Sequence, residues 1–201
     1  MNALCDKTNR HFGGVFFVKS FLWCRCGALS YNSIAQSSRK ERDTMKVILE
    51  FILTVVLSFV PGIVGVLFSP NGASDLWYNA LNKSALTPDG WVFSVVWPLL
   101  YALLGVALFL VVRNAKTRQF KAPAYSLFLT QMVLNALWSY FFFGLHMTRA
   151  ALIALVVLVI VSGYMMREFR SFNRWAGYLV WPYILWLIFA MYLNIIIVWL
   201  N

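Results

Sequence analysis

Tryptophan, tyrosine and carboxamide side chains recur at helical spacing along this sequence, and no acid–base set accompanies them. Trp97 and Tyr101 stand four residues apart. Gln131, Asn135 and Ser139 follow at the same interval, with Trp138 beside them, and Trp186, Ala190 and Asn194 repeat it after Pro182-Tyr183. Residues four apart share one face of a helix, so each run reads as a stripe. Indole rings supply stacking area and an N–H donor, and a few amides and phenols suffice to orient a guest in an apolar pocket. Trp97, Trp138 and Trp186 share faces with polar groups, and the small Ala190 leaves room for a ligand or for close helix packing. This is the chemistry of a site for a large, flat, mostly apolar ligand. A purely packing role for Asn135 and Asn194 stands beside it, because amides commonly join helices in membranes. No serine–histidine–carboxylate set and no cluster of metal ligands is present, so no metal is expected. His146, alone at a loop edge, reads as a surface residue.

Composition says which elements must carry these stripes. The chain of 201 residues is 61% hydrophobic and only 12% charged, whereas soluble domains carry about a quarter charged residues. Its charges cluster and leave long stretches without any. Apolar runs extend over Val47 to Phe68, Trp91 to Val112, Ala124 to Gly144, Ala150 to Met166 and Ala176 to Leu200. Each is close to the roughly 20 residues that cross a bilayer as a helix. The runs lack the alternation of a membrane β-barrel strand. The predicted fold is an all-α membrane protein, a bundle of five transmembrane helices. Buried amides are costly in lipid, so Gln131, Asn135 and Asn194 should face the bundle interior. Trp91, Trp175, Trp181 and Trp199, near span ends, read as interfacial anchors.

The formal charge of +10 belongs to the N-terminal region and the loops, where it sets orientation, and nucleic acid is not expected as a partner. Arg113, Lys116, Arg118 and Lys121 lie between the second and third spans, and Arg167, Arg170 and Arg174 between the fourth and fifth. Asp75, Lys83 and Asp89 are the charges after the first span, and Arg149 is the charge after the third. The N-terminus is therefore expected in the cytoplasm and the C-terminus outside. Spans two to five carry no charge in their interiors, which counts against a proton-coupled transporter or a voltage sensor. Residues 1–44 read as a basic N-terminal extension, disordered or lying upstream of the true start. Met45-Lys46 directly precedes the first strong span, and residues 45–201 form the membrane domain. Cys5, Cys24 and Cys26 show neither zinc nor haem spacing.

Four segments, in order, resemble the TspO/translocator-protein (tryptophan-rich sensory protein) family. They are Trp77-Tyr78 with Leu81 and Lys83, similar to W-Y-x-x-L-x-K; Trp91-Val92-Phe93 with Val96-Trp97 and Leu100-Tyr101, followed by Gly105; Asn135 with Trp138-Ser139 and Phe142-Phe143-Gly144; and Pro182-Tyr183 with Trp186, Phe189-Ala190 and Leu193-Asn194. The resemblance covers roughly residues 47 to 201. Where the family has W-x-P-P ahead of the second span, this chain has Leu86-Thr87-Pro88-Asp89, and Tyr140 replaces a common proline.

The resemblance implies a five-helix bundle, usually a homodimer, in a bacterial cytoplasmic membrane. It implies a receptor or sensor that binds porphyrins of the protoporphyrin IX kind, as ligand or substrate, with no cofactor required. Ligand-binding residues carried over by motif are Tyr101, Asn135, Trp138 and Ala190, with Trp77, Tyr78 and Pro88 from a loop lid; Asn194 joins them from its stripe. Light-dependent porphyrin breakdown is implied for some relatives, and the two tryptophans concerned match Trp97 and Trp186. A transporter of tetrapyrroles or other hydrophobic cargo and a dimeric stress-response scaffold are the alternative functions.

Overall fold

Proline, glycine and polar breaks in the apolar pattern become the ends and bends of helices. A computed structural model describes residues 15–68, 75–114 and 121–201 of the chain. Helix α1 covers Val15–Ser58, α2 Val60–Phe68, α3 Leu76–Ala80, α4 Gly90–Asn114, α5 Ala122–Ser139, α6 Thr148–Phe172 and α7 Arg174–Leu200. No strand occurs among the described residues. Five stretches are long and apolar enough to cross a membrane: Arg39–Phe68, Gly90–Asn114, Ala122–Gly144, Thr148–Phe172 and Arg174–Leu200. The fourth, which the sequence rendered shortest, has 25 residues, as many as the second. Its helix continues through the charged Arg167–Arg170 segment, whose straight-chain residues are good helix formers.

The chain divides into two units, residues 1–48 and 49–201. In the first, α1 carries an exposed Lys46–Asp43 ion pair at 4.0 Å, and Thr44 Oγ1 donates to the Lys40 carbonyl at 2.9 Å. The remaining description concerns the second unit.

Around the bundle, α6 packs against both α5 and α7, α7 against α4, and α2 against α5 and α4. The spans thus follow one another around a ring as one, two, five, four, three. Pro61 has no N–H to return to Leu57, so the first span breaks at Phe59 and resumes as α2. Ser58 Oγ donates to the Tyr101 carbonyl at 2.7 Å across the crossing with α4. At the opposite edge of the bundle, Gly177 lets α7 approach Arg170 of α6; a Cβ there would stand 2.7 Å from the arginine Cβ.

The core is continuous through α4, α5, α6 and α7 and includes Leu104, Leu108, Phe128, Leu158, Met165, Val180 and Leu187. Exposed apolar side chains such as Val133, Ile153 and Leu185 cover the outside. Apolar side chains thus fill the core and also cover the outside, a distribution that is stable only with lipid as the surrounding solvent. Trp91, Trp175, Trp181 and Trp199 are all exposed, as interfacial anchors require. At the end of the bundle that holds the basic connections, Arg113 Nη1 approaches Glu50 Oε2 to 3.5 Å and Lys121 Nζ donates to the Val112 carbonyl at 2.8 Å.

Candidate functional site

Three indoles that are far apart in sequence meet inside the bundle. Trp97 of α4 lies 6.3 Å from Trp138 of α5, ring centre to ring centre, and 6.5 Å from Trp186 of α7. The Trp97–Trp186 planes are perpendicular, and Trp97 also stacks on Tyr101 at 5.6 Å. Phe93 meets the edge of Trp186 at 5.7 Å, and Phe59 meets Tyr101 at 5.9 Å. The three tryptophans remain half-buried while the helices around them close. The indole nitrogens of Trp138 and Trp186 are nevertheless shielded and have no hydrogen-bond partner among the described residues. A buried donor left unpaired costs about 1–3 kcal/mol, so a shift of either ring that brought its N–H to an acceptor would be favourable.

Next to the indoles lies a buried polar chain. Tyr101 Oη donates to Asn135 Oδ1 at 3.1 Å, Asn135 Nδ2 donates to Tyr183 Oη at 2.9 Å, and Tyr183 Oη donates to Gln131 Oε1 at 2.9 Å. This chain ties α4, α5 and α7 together in the interior. Gln131, Asn135 and Ser139 are all buried. The structure thus engages both ends of the Asn135 amide in helix-to-helix bonds, and Tyr101 presents its ring, more than its hydroxyl, towards Trp97. Tyr183, fully buried at the centre of the chain, is the member that the helical stripes missed. It stands seven residues before Ala190 and eleven before Asn194, two intervals that return a helix to nearly the same face. Extending the α7 stripe by two turns would have found it.

Ala190 and Asn194 are buried further along α7. Asn194 Nδ2 donates to the Thr148 carbonyl at 3.1 Å, holding the start of α6, while its Oδ1 is buried without a partner. The third span ends in a π-helical turn, Tyr140–Gly144. Such turns shift the register of side chains and recur at functional sites. Here Phe142 turns inward to stack on Trp138 at 5.5 Å, with the ring planes 23° apart.

The loop residues arrive from the end of the bundle opposite the basic connections. Asp75 caps α3 by accepting from the Tyr78 backbone N–H at 2.9 Å, which sets Trp77 and Tyr78 side by side over Phe142. Trp77 meets Phe142 edge-on at 5.5 Å and stacks flat on His146 at 4.0 Å. Tyr78 packs against Phe142 and Phe143. Lys83 Nζ lies 4.3 Å from the centre of the Tyr78 ring and donates to its carbonyl at 2.9 Å. Burial pushes the Tyr78 phenol above its ordinary pKa, so the ring facing this cation stays neutral. Pro88 is half-buried two residues ahead of α4. Trp77 and Tyr78 therefore reach the indole cluster through Phe142, which sequence spacing did not single out. His146 is exposed, as a loop-edge histidine should be, with a positive φ of 55°.

A strap of hydrogen bonds pins this loop to the end of α7. The Asn82 backbone N–H donates to Asn201 Oδ1 at 3.0 Å, and Asn201 Nδ2 donates back to the Asn82 carbonyl at 3.1 Å. Ser84 Oγ and Tyr192 Oη share a further bond at 3.1 Å. Asn201→Ala removes all side-chain contacts from Asn201 to Asn82 and leaves only the 3.5 Å bond from Asn82 Nδ2 to the Leu200 carbonyl, and faster amide exchange across residues 76–84 is the expected result. Hydrogen–deuterium exchange read by mass spectrometry checks it; unchanged exchange would show that Ser84–Tyr192 and the aromatic contacts suffice.

A separate apolar groove of about 580 Å³ runs between the first span and α5, lined by Leu57, Val60, Val64, Met132, Val133 and Ala136 among others. It holds none of the three clustered indoles.

A sequence profile of the TspO/MBR family matches residues 51–200. The tryptophan-rich protein TspO of Chlorobaculum tepidum is 35% identical over 156 residues, which is 78% of this chain and 98% of that protein. The tryptophan-rich sensory protein of Cereibacter sphaeroides is 31% identical over 144 residues, covering 72% of this chain and 86% of its own length. The translocator protein of Sus scrofa is 29% identical over 143 residues, 70% of this chain and 85% of that one.

Proposed function

The chain belongs to the TspO/MBR family, and from that premise we propose that it is a multi-pass membrane receptor for porphyrins and related flat hydrophobic ligands. The observation that carries this reading is the meeting of Trp97, Trp138 and Trp186, two of them with buried, unpartnered N–H donors. A tetrapyrrole of the protoporphyrin IX kind offers ring faces for the indoles and acceptors for those donors. Ala190 and Asn194 lie along the same helix as Trp186, and Trp77, Tyr78 and Pro88 close the outer end. Tyr101 and Asn135 support the site by holding Trp97 and Trp138 in register. No cofactor is required for binding.

Light-dependent breakdown of the bound porphyrin is the catalytic extension of this reading. Trp97 and Trp186 would react by one-electron chemistry with the excited macrocycle, and no acid–base group takes part. The membrane is that of a bacterium, the cytoplasmic one, with the basic connections inside and the C-terminus outside. The partner is a second copy of the chain, meeting the exposed stripe Leu129, Val133 and Leu137 on α5. A second reading, transport of tetrapyrroles, draws on relatives named translocator protein; an absence of flux and exchange in proteoliposomes would remove it.

Protoporphyrin IX titrated into the protein in the dark, followed by tryptophan fluorescence, tests the receptor. Trp97→Phe retains a ring but loses indole area and its N–H. Loss of about 1 kcal/mol of aromatic contact corresponds to a roughly fivefold rise in Kd. Trp186→Phe should behave similarly. Saturable quenching with equal Kd in all three proteins would place the ligand elsewhere. Illumination of the same samples, with porphyrin absorbance followed, separates breakdown from binding.

A further inference from the structure

We infer that the aromatic side chains form an electron-hole relay from Trp97 through Trp138 and Phe142 to Trp77, carrying oxidising equivalents from the buried site to the protein surface. The inference rests on the photochemical reading above and adds the route by which the oxidised protein is repaired.

Indole is among the side chains most readily oxidised by one electron, and electron transfer between rings weakens steeply with distance. The rings on this route are in sequence 6.3, 5.5 and 5.5 Å apart, centre to centre. Phe142, 2% exposed, is too hard to oxidise to hold the charge itself. Stacked on Trp138 and edge-on to Trp77, it serves as the medium between two indoles.

What makes the route directional is where protons can go. An oxidised indole stays a mobile cation only while its nitrogen keeps the proton. Trp138 Nε1 is buried without any acceptor among the described residues, so charge arriving there is not trapped as a neutral radical. Trp186 Nε1 is in the same position. Tyrosine is the competing sink, because Tyr101 stacks on Trp97 at 5.6 Å. A phenol gives up an electron easily only when it can hand its proton to a base. Tyr101 and Tyr183 donate instead to the carboxamide oxygens of Asn135 and Gln131, which are far too weakly basic to take one. The side branch is therefore closed, and the open branch leads to Trp77. There the indole lies flat against exposed His146 at 4.0 Å, with ring planes 10° apart, at the surface of the protein.

The electrons balance with two named co-reactants. The excited macrocycle takes one electron from Trp97. Trp138 refills Trp97, and Trp77 refills Trp138 through Phe142. A water-soluble reductant of the ascorbate or thiol class gives one electron to Trp77, and the reduced macrocycle passes its extra electron to dioxygen, forming superoxide. All indoles return to their starting state, and no bond in the protein is broken.

Flash photolysis of the full chain loaded with zinc protoporphyrin in nanodiscs tests the relay, with tryptophan-radical absorbance followed as ascorbate is added. In the parent protein the radical should decay faster with increasing ascorbate. In Phe142→Leu, at saturating porphyrin, that dependence should be lost while the initial radical still forms; in Trp77→Phe, which also alters the lid of the site, the dependence should be lost for whatever radical forms. Ascorbate repair as fast in both variants as in the parent would overturn the relay. A failure of zinc protoporphyrin to bind saturably in the dark would instead remove the receptor reading. The relay is then read in the same proteins by ultraviolet photoionisation of the indoles, where repair insensitive to Trp77→Phe would equally overturn it.

Discussion

Gly105→Leu is expected to cost the bundle about 3 kcal/mol, the upper end of the usual overpacking range. A Cβ at this position would stand 2.6 Å from the Val55 Cα and 2.9 Å from Ser58 Oγ. The first of these atoms is backbone and cannot rotate aside, so the first span must move away from α4. That movement breaks the 2.7 Å bond from Ser58 to the Tyr101 carbonyl and loosens Tyr101 and Trp97 together. Porphyrin quenching should therefore weaken along with stability. Unfolding in mixed micelles of increasing SDS content measures the loss. Gly163→Leu is the control, because a Cβ there meets nothing within 4 Å, and it should unfold with the parent. Equal midpoints for the Gly105 variant and the parent would show that the crossing is looser than the geometry states.

The second large effect is expected at Asn135. Asn135→Leu removes the acceptor of Tyr101 and the donor to Tyr183 at once. Tyr183 keeps its bond to Gln131, but the Tyr101 hydroxyl is left buried and alone, at a cost of roughly 1–3 kcal/mol. Tyr101→Phe alone should cost less, because the ring and its stack on Trp97 survive. Adding Tyr101→Phe to Asn135→Leu should recover part of the loss, since the orphaned hydroxyl is then absent. The same cycle sorts the role of Asn135. Recovery of both stability and porphyrin affinity in the double variant marks it as a tie between helices. Recovery of stability without affinity would mean that the amide also touches the ligand.

Sequence by itself determined the number of spans, their helical character and the inward direction of the Gln131, Asn135 and Ser139 stripe. The reason is that a bilayer imposes one-dimensional rules. A span must be about 20 apolar residues long, its backbone must satisfy itself, and an amide must turn away from lipid. Each rule can be checked along a single helix. Trp97, Trp138 and Trp186 were also legible as inward residues, since each shares a face with polar groups. The family motifs marked Gly105 without giving its reason, which is the backbone of Val55 across the crossing.

Only the tertiary structure decided which inward faces meet. Whether the amide of Asn135 is turned to a guest or to Tyr101 and Tyr183 depends on the arrangement of three helices, and no spacing along one of them contains it. Tyr183, present in the fourth family segment, had no assigned role because a buried phenol differs from an interfacial one only in what surrounds it. Phe142 was hidden for a second reason: the π-helical turn at Tyr140–Gly144 shifts the phase of the third span, so a fixed helical repeat misplaces residues beyond it. The stack of Trp77 on His146 and the Asn82–Asn201 strap join residues 69 and 119 positions apart. Contacts of that reach are fixed by the way the spans ring the bundle, which brings the first loop, the turn after α5 and the end of α7 to the same end of the molecule.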